Sequence, residues 1–361
     1  MDNLNISRRN FITAVGVSGA ATIANLGPLQ LLASDDLRPQ NLPADRVIKM
    51  FSTIHLSAQE QEKIRSVSKN IDLQIADDES GVSDDAEVVI GDIDAATLQR
   101  LKKLKWVQVW HAGVENMPKE MISHPVVLTN MQRVLGPVIA ETAIALLLSL
   151  TRGLTQSSIP NFYEKKWAQV PKDVVLDDLY KKTILIVGMG GIGSETARRL
   201  HYGFNTRVLA TDAKPMHKPD FVDELHDPSQ FMKLVPKADI LMSAAPLTKE
   251  TKEMFNADVF AKMKPESYFI NVSRGGLVQQ EALIRALKTK KIRGAGLDVT
   301  TPEPLPADHE LWTCPNLVIT PHNSSVADVR GQRMLALAVE NARRYSLGMP
   351  LMNVVDKEKG Y

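Results

Sequence analysis

Cysteine is almost absent from this 361-residue chain. Cys314 stands alone, so no internal disulfide can form, and it lacks a nucleophile signature; between Trp312 and Pro315 it reads as a small packing residue. No grouping of cysteines and histidines has metal-ligand spacing, so no metal is expected. Excess charge is missing too: 43 basic and 42 acidic residues leave a net charge of +1. That balance removes the electrostatic reason to expect nucleic acid or an anionic membrane as partner. There is no repeat of solenoid period and no low-complexity tract. A good membrane span is also lacking, because the uncharged stretch from Phe11 to Leu32 is broken by Gly16, Gly19, Gly27 and several polar residues.

What is present is the make-up of an ordinary globular protein, 44% apolar and 24% charged. The length exceeds what one core usually accommodates, so two domains are expected. At the N-terminus, Ser7-Arg8-Arg9-Asn10-Phe11-Ile12 opens a mildly apolar stretch, the pattern of a twin-arginine export signal. Residues 1–34 are therefore set aside as a leader and a periplasmic location is expected. The alternatives are a cytoplasmic protein with a chance pair of arginines, or an uncleaved anchor; a cut after Ala33 is compatible with the residues.

Beyond a proline-containing linker, Leu37 to Pro43, the rhythm is that of α/β structure. Arg46 to Phe51 reads as a strand. Ser57 to Ser68 reads as a helix with Ser57 as N-cap and Glu60 completing a capping box. Leu73–Ile75, Val88–Ile90 and Val107–Trp110 are short apolar runs, with Ala95 to Leu104 helical between the last two. An apolar helix, Val138 to Leu150, follows as core or as a dimer contact, the residues favouring neither. After a break over Thr155 to Asp178 a second series begins, with strands at Ile184–Val187, Val208–Thr211, Ile240–Ser243, Tyr268–Val272, Gly296–Val299 and Leu317–Thr320. Six strands match a doubly wound dinucleotide domain. A helix from Gln280 to Leu287 lies within it, and a long one, Ala327 to Tyr345, carries the chain back toward the first domain.

Lys182 to Val187 runs straight into Gly188-Met189-Gly190-Gly191-Ile192-Gly193 and then a helix. Gly188 allows the tight turn, Gly190 lets the backbone approach a pyrophosphate, and Gly193 lets helix and strand pack. The open N–H groups at the helix start favour phosphate. Asp212, at the end of the next strand, is placed to accept hydrogen bonds from an adenosine ribose, which favours NAD because a 2′-phosphate would be repelled. Lys214, two residues on, is able to meet such a phosphate, so NADP is not excluded. Asp212 as a solvated turn residue is the bland alternative.

Three downstream segments place polar residues at the carboxyl ends of strands, where ligands of open α/β sheets bind. They are Asn271-Val272-Ser273-Arg274-Gly275-Gly276, Gly296-Leu297-Asp298-Val299-Thr300-Thr301-Pro302-Glu303, and Ile319-Thr320-Pro321-His322. Together with Gly188 to Gly193 and Ala245-Pro246-Leu247-Thr248-Lys249-Glu250-Thr251, they resemble the D-isomer-specific 2-hydroxyacid dehydrogenase family, over about Arg46 to Val355. The stretch Asn130 to Glu141 resembles its glyoxylate/hydroxypyruvate reductase branch.

The resemblance implies a Rossmann-type NAD-binding domain (151–325) inserted into a flavodoxin-like substrate domain (45–150 with 326–361), and a homodimer. It also implies a catalytic triad of Arg274, Glu303 and His322. Reduction of a 2-oxo acid needs a proton on the carbonyl oxygen, and an imidazole, with an ordinary pKa of ~6.5, can supply it. Glu303 would orient that ring and Arg274 would grip the substrate carboxylate. Ala245, Pro246 and Asp298 are expected at the cofactor with Gly191 and Ile192; Asp298 would receive the nicotinamide carboxamide or else cap a turn. In Trp110-His111-Ala112-Gly113-Val114-Glu115, similar to the family's G-V-D segment, Ala112 and Gly113 are the candidates for holding the substrate carboxylate, and Glu115 departs from the usual aspartate. His111 reads as a structural imidazole, with contact to the pocket as the alternative. Arg133 is a second anion contact or a solvent-facing charge. A relative that senses NAD without turnover stays open. Formate oxidation is disfavoured, since that branch pairs its histidine with glutamine. A phosphoglycerate dehydrogenase with a C-terminal regulatory domain is disfavoured because the chain ends soon after the return helix.

Overall fold

The structure is a computed structural model that describes residues 46–172 and 174–361. The twin-arginine segment and the linker after it lie outside the described residues. Two parallel sheets organise the rest. The first is built from β1 (Ile48–Ser52), β2 (Ile71–Ile75), β3 (Val88–Ile90), β4 (Trp106–Gln108) and β5 (Val127–Thr129), in the order β2-β1-β3-β4-β5. This is the flavodoxin-like order, with its direction of growth reversing between β1 and β3. The Ser57/Glu60 capping box forms as expected and starts the Ala58–Arg65 helix, the Glu60 side chain accepting from Ser57 N–H at 2.8 Å.

The second sheet contains β6 (Thr183–Val187), β7 (Arg207–Thr211), β8 (Glu224–His226), β9 (Ile240–Ser243), β10 (Tyr268–Asn271), β11 (Gly294–Leu297) and β12 (Leu317–Ile319). Its order is β12-β11-β10-β9-β6-β7-β8, the doubly wound arrangement, with Ile184 in register with both Val208 and Ile240. It therefore has seven strands where six were expected. The extra strand, β8, is a three-residue edge, Glu-Leu-His, only partly buried, so it carries no apolar run to announce it. The edge strand β5 was not expected either: Val-Leu-Thr is mostly buried but only three residues long. Central strands behave oppositely: Ile184 to Val187 is buried without alternation, because helices cover both faces.

The apolar helix occupies Gly136–Thr151, and one side of it is core. Although it directly follows the first sheet in sequence, Ala143, Leu146 and Leu150 pack with Ile184, Ile186 and Ile270 of the second. The return helix, Arg330–Ser346, joins the two halves. Its Leu335, Ala342 and Tyr345 lie in the core of the first sheet, while Met334 and Leu337 reach the core of the second. Tyr345 stacks on Trp106 with centroids 5.3 Å apart and donates its hydroxyl to buried Glu87, which also pairs with Arg46. Among the described residues no single helix is long and apolar enough to cross a membrane.

Candidate active site

The glycine-rich turn sits where the second sheet reverses its winding, between β6 and β9. Gly188 has φ +97°, and a side chain there would stand 2.7 Å from the Ala244 carbonyl oxygen. At Gly193 a Cβ would stand 1.9 Å from the Gly188 carbonyl oxygen, so helix and strand approach as only glycine permits. Gly190 differs: nothing lies within 4 Å of the corresponding position, which leaves the front of the turn open to a pyrophosphate. Gly191 and Ile192 begin the Gly191–Phe204 helix. Gly191 also faces the first half of the molecule, since a Cβ on it would come within 2.5 Å of Arg133 Cα. Arg133, with φ +69°, is thereby fixed at this close backbone contact.

Asp212 ends β7. One carboxylate oxygen accepts from Met189 N–H at 2.7 Å and the other from Lys214 N–H at 2.7 Å. The carboxylate thus ties the glycine turn to the next strand and keeps lone pairs for a ribose diol. Lys214 turns its ammonium toward Tyr361, 4.5 Å from the ring centroid, and burial lowers its pKa. Ala245 and Pro246 follow β9 beside the turn, and the Ala245 carbonyl accepts from Ser273 Oγ. An open glycine turn at a helix N-terminus with a carboxylate on the adjacent strand end fits a dinucleotide.

Arg274 leaves the end of β10. Asn271 Nδ2 donates to its carbonyl at 2.9 Å, and Arg274 itself donates from Nη1 to the Ser273 carbonyl at 2.8 Å. Its Nε donates to Glu115, on the turn after β4, which ties the second sheet to the first. Burial pushes the Glu115 carboxyl up, but the charge and hydrogen bond of Arg274 outweigh it and leave the pKa lowered.

Glu303 and His322 form a dyad. Glu303 Oε1 accepts from Thr300 N–H at 2.9 Å, while its Oε2 lies 2.7 Å from His322 Nδ1. With Nδ1 donating to the carboxylate, Nε2 is the nitrogen left for chemistry. His322 has φ +50°, a strained backbone for a side chain of this size, and the turn that imposes it is built on Asp298. That residue is 1% exposed and accepts from Thr320 Oγ1 at 2.6 Å, Asn323 N–H at 3.1 Å and Ser324 N–H at 3.2 Å. Its carbonyl accepts from His322 N–H at 2.8 Å. These bonds make Asp298 the cap of the turn that carries His322.

The turn after β4 completes the crevice. Asn130 Nδ2 donates to the Ala112 carbonyl at 2.6 Å, and His111 Nδ1 lies 2.5 Å from the Gly113 carbonyl. Among the described residues, the N–H groups of Ala112 and Gly113 find no protein acceptor. Arg274 and Glu115 both lie directly against Gly113: a Cβ there would be 2.1 Å from Arg274 Nη2 and 2.3 Å from Glu115 Oε2. The donors this turn offers a carboxylate are the two N–H groups and the Arg274 guanidinium, whose Nε is held by Glu115. Asp92 is the residue here for which the sequence carried no signal, while Asn271 and Ser273 lie in the segment already singled out, without an assigned role.

The NAD-binding-domain model of the D-isomer specific 2-hydroxyacid dehydrogenases matches residues 144–324. A glyoxylate/hydroxypyruvate reductase B of Escherichia fergusonii is 32% identical over 306 residues, covering 83% of this chain and 93% of that protein. Among solved structures, a D-isomer specific 2-hydroxyacid dehydrogenase family protein of Aeromonas salmonicida matches with a TM-score of 0.72 at 29% identity, covering 87% of this chain and 99% of the other. An NADPH-dependent glyoxylate/hydroxypyruvate reductase of Sinorhizobium meliloti, in complex with NADP and malonate, gives a TM-score of 0.68 at 26% identity, covering 87% and 98%. With the cofactor turn, Arg274 and the Glu303–His322 dyad at the carboxyl ends of one doubly wound sheet, and with these relatives, the chain belongs to the D-isomer-specific 2-hydroxyacid dehydrogenase family.

Proposed function

We propose that this protein reduces small 2-oxo acids to 2-hydroxy acids with NADH or NADPH, glyoxylate and hydroxypyruvate being the first substrates to try. The observation that carries the reading is that the glycine turn, Arg274, Glu303 and His322 all follow the carboxyl ends of strands in one parallel sheet, where open α/β sheets bind their ligands. The dinucleotide, when bound at the Gly188–Gly193 turn, supplies the hydride. Arg274 and the open N–H groups of Ala112 and Gly113 bind the substrate carboxylate and orient the adjacent carbonyl. His322 Nε2 then stands as the proton donor to the carbonyl oxygen, and Glu303 holds the ring and stabilises its cationic form. In the reverse direction the same histidine is the base. Asp212 supports NAD and the nearby Lys214 keeps NADP open, as do relatives described with NADP. The relatives' names as reductases favour turnover over a purely sensing role.

The test is oxidation of NADH and of NADPH against glyoxylate, hydroxypyruvate, pyruvate, phenylpyruvate and branched 2-oxo acids, with His322→Asn as control. Turnover abolished by the substitution supports the reading and ranks substrates and nucleotides together. Nucleotide binding without any turnover overturns it.

Two further readings belong to the same proposal. The protein works as a homodimer, supported by the exposed Phe162, Tyr163 and Trp167 on the segment between the two sheets. It is exported to the periplasm through the Arg8-Arg9 signal, folded and with its nucleotide already inside, since no exchangeable NAD pool is expected outside the cytoplasm. Cell fractionation tests the export: the full-length chain found only in the cytoplasm would sink it.

A further inference from the structure

His111 sits on the turn after β4, between two groups that can only accept hydrogen bonds. Nδ1 lies 2.5 Å from the Gly113 carbonyl oxygen, and Nε2 lies 2.7 Å from Asp92 Oδ1, on the loop after β3. A neutral imidazole has one N–H and one lone pair, so it would satisfy one of these partners and turn a lone pair on the other. The geometry asks for both ring protons. The neighbouring Ala112 carbonyl is held by Asn130, whose own amide is fixed by accepting from Gln132 N–H at 3.1 Å. Both carbonyls of the turn are therefore pinned by side chains, and the donors left over are the Ala112 and Gly113 N–H groups.

We propose that His111 is a positioning residue that works as an imidazolium: protonated on both nitrogens, it ties the Gly113 carbonyl to Asp92 and sets a positive charge beside the carboxylate of the 2-oxo acid. The inference rests on the reading that this turn receives that carboxylate. The charged groups facing the ring are Asp92 on one side and Glu115 on its own turn, both favouring the proton. Arg274, on the far side of Gly113, opposes it, while Glu79 and Asp94 surround Asp92 and add negative potential. The balance raises the His111 pKa, the hydrogen bond to Asp92 being the largest cause. The loop support is thus complete below the ordinary histidine pKa of ~6.5 and is lost only as pH rises through the higher folded value.

Two measurements on the full chain decide it. In a nitrogen-15 titration of the histidine rings, assigned with His111→Gln, His111 is expected to carry two N–H groups at neutral pH and to titrate above ordinary histidine. In steady-state kinetics with glyoxylate, KM is expected to climb about tenfold above that pKa while kcat changes far less. In Asp92→Asn the climb moves to lower pH. In His111→Gln the climb disappears and KM stays high, about tenfold above the wild type at neutral pH. A neutral His111 ring at neutral pH, or a KM profile unchanged by His111→Gln, overturns the proposal while leaving the active-site reading standing. Absence of turnover with every 2-oxo acid overturns that reading, and the role of His111 with it, whatever its protonation.

Discussion

Glu303 and His322 differ in what each would take away. His322→Asn removes the imidazole placed to deliver the proton, so kcat should fall by about 10²–10⁴. Glu303→Gln leaves a polar partner for Nδ1 but not the negative charge that stabilises an imidazolium, so a smaller loss of about 10–100-fold is expected. Neither side chain touches the glycine turn, and NADH affinity read from nucleotide fluorescence should stay within a few-fold of wild type in both. Glu115 adds a pH dependence of opposite sign to that of His111. Its pKa is lowered in the folded protein, so the pairing with Arg274 contributes above the ordinary carboxylate range and is lost as pH falls through the folded value. Thermal unfolding should show wild type above Glu115→Gln at neutral pH and the difference should vanish in acid. A difference that persists in acid would mean that Glu115 acts through packing rather than charge.

At the scale of elements, the glycines of one turn answer to different constraints, and substitution should separate them. Gly193→Ala drives a methyl group into the Gly188 carbonyl, 1.9 Å away, and should destabilise the fold by about 1–3 kcal/mol in urea unfolding. Gly190→Ala meets nothing within 4 Å and should leave unfolding nearly unchanged while weakening NADH binding. The reverse ranking would refute the division of labour argued for this turn. Such a turn is legible in a sequence because Gly188 and Gly193 leave no room for a side chain, and the apolar central strands β6, β9 and β10 are legible because burial on both faces leaves unbroken apolar runs. The edges β5 and β8 are not, since three residues are too few to carry a period, and in β8 two of the three are polar. The Gly136–Thr151 helix announces its existence but not its partner: it is apolar on nearly every side, and only the packing reveals that it serves the second sheet. The His111–Asp92 contact is hidden for another reason. It spans 19 residues and depends on β3 and β4 being neighbours, which no local pattern reports.

The whole molecule leaves one surface without an internal explanation. Between the Gly136–Thr151 helix and β6, the chain exposes Phe162 at 77% and Tyr163 at 78% of their surfaces and Trp167 fully, with Leu154, Ile159 and Val175 also open. Single exposed apolar residues need no account, but three aromatics within six positions do. A second copy of the chain is the occupant proposed above, and a two-fold contact would bring the same segment from both copies into one interface. A stable interface of this kind buries about 1,200–2,000 Å² in total, and aromatic anchors carry most of its energy. Trp167→Glu combined with Phe162→Ser should therefore halve the mass seen by light scattering, while nucleotide binding at the distant glycine turn persists. If the wild type is already monomeric, or the double variant stays dimeric, this surface is not the self-association face, and its aromatics need another partner.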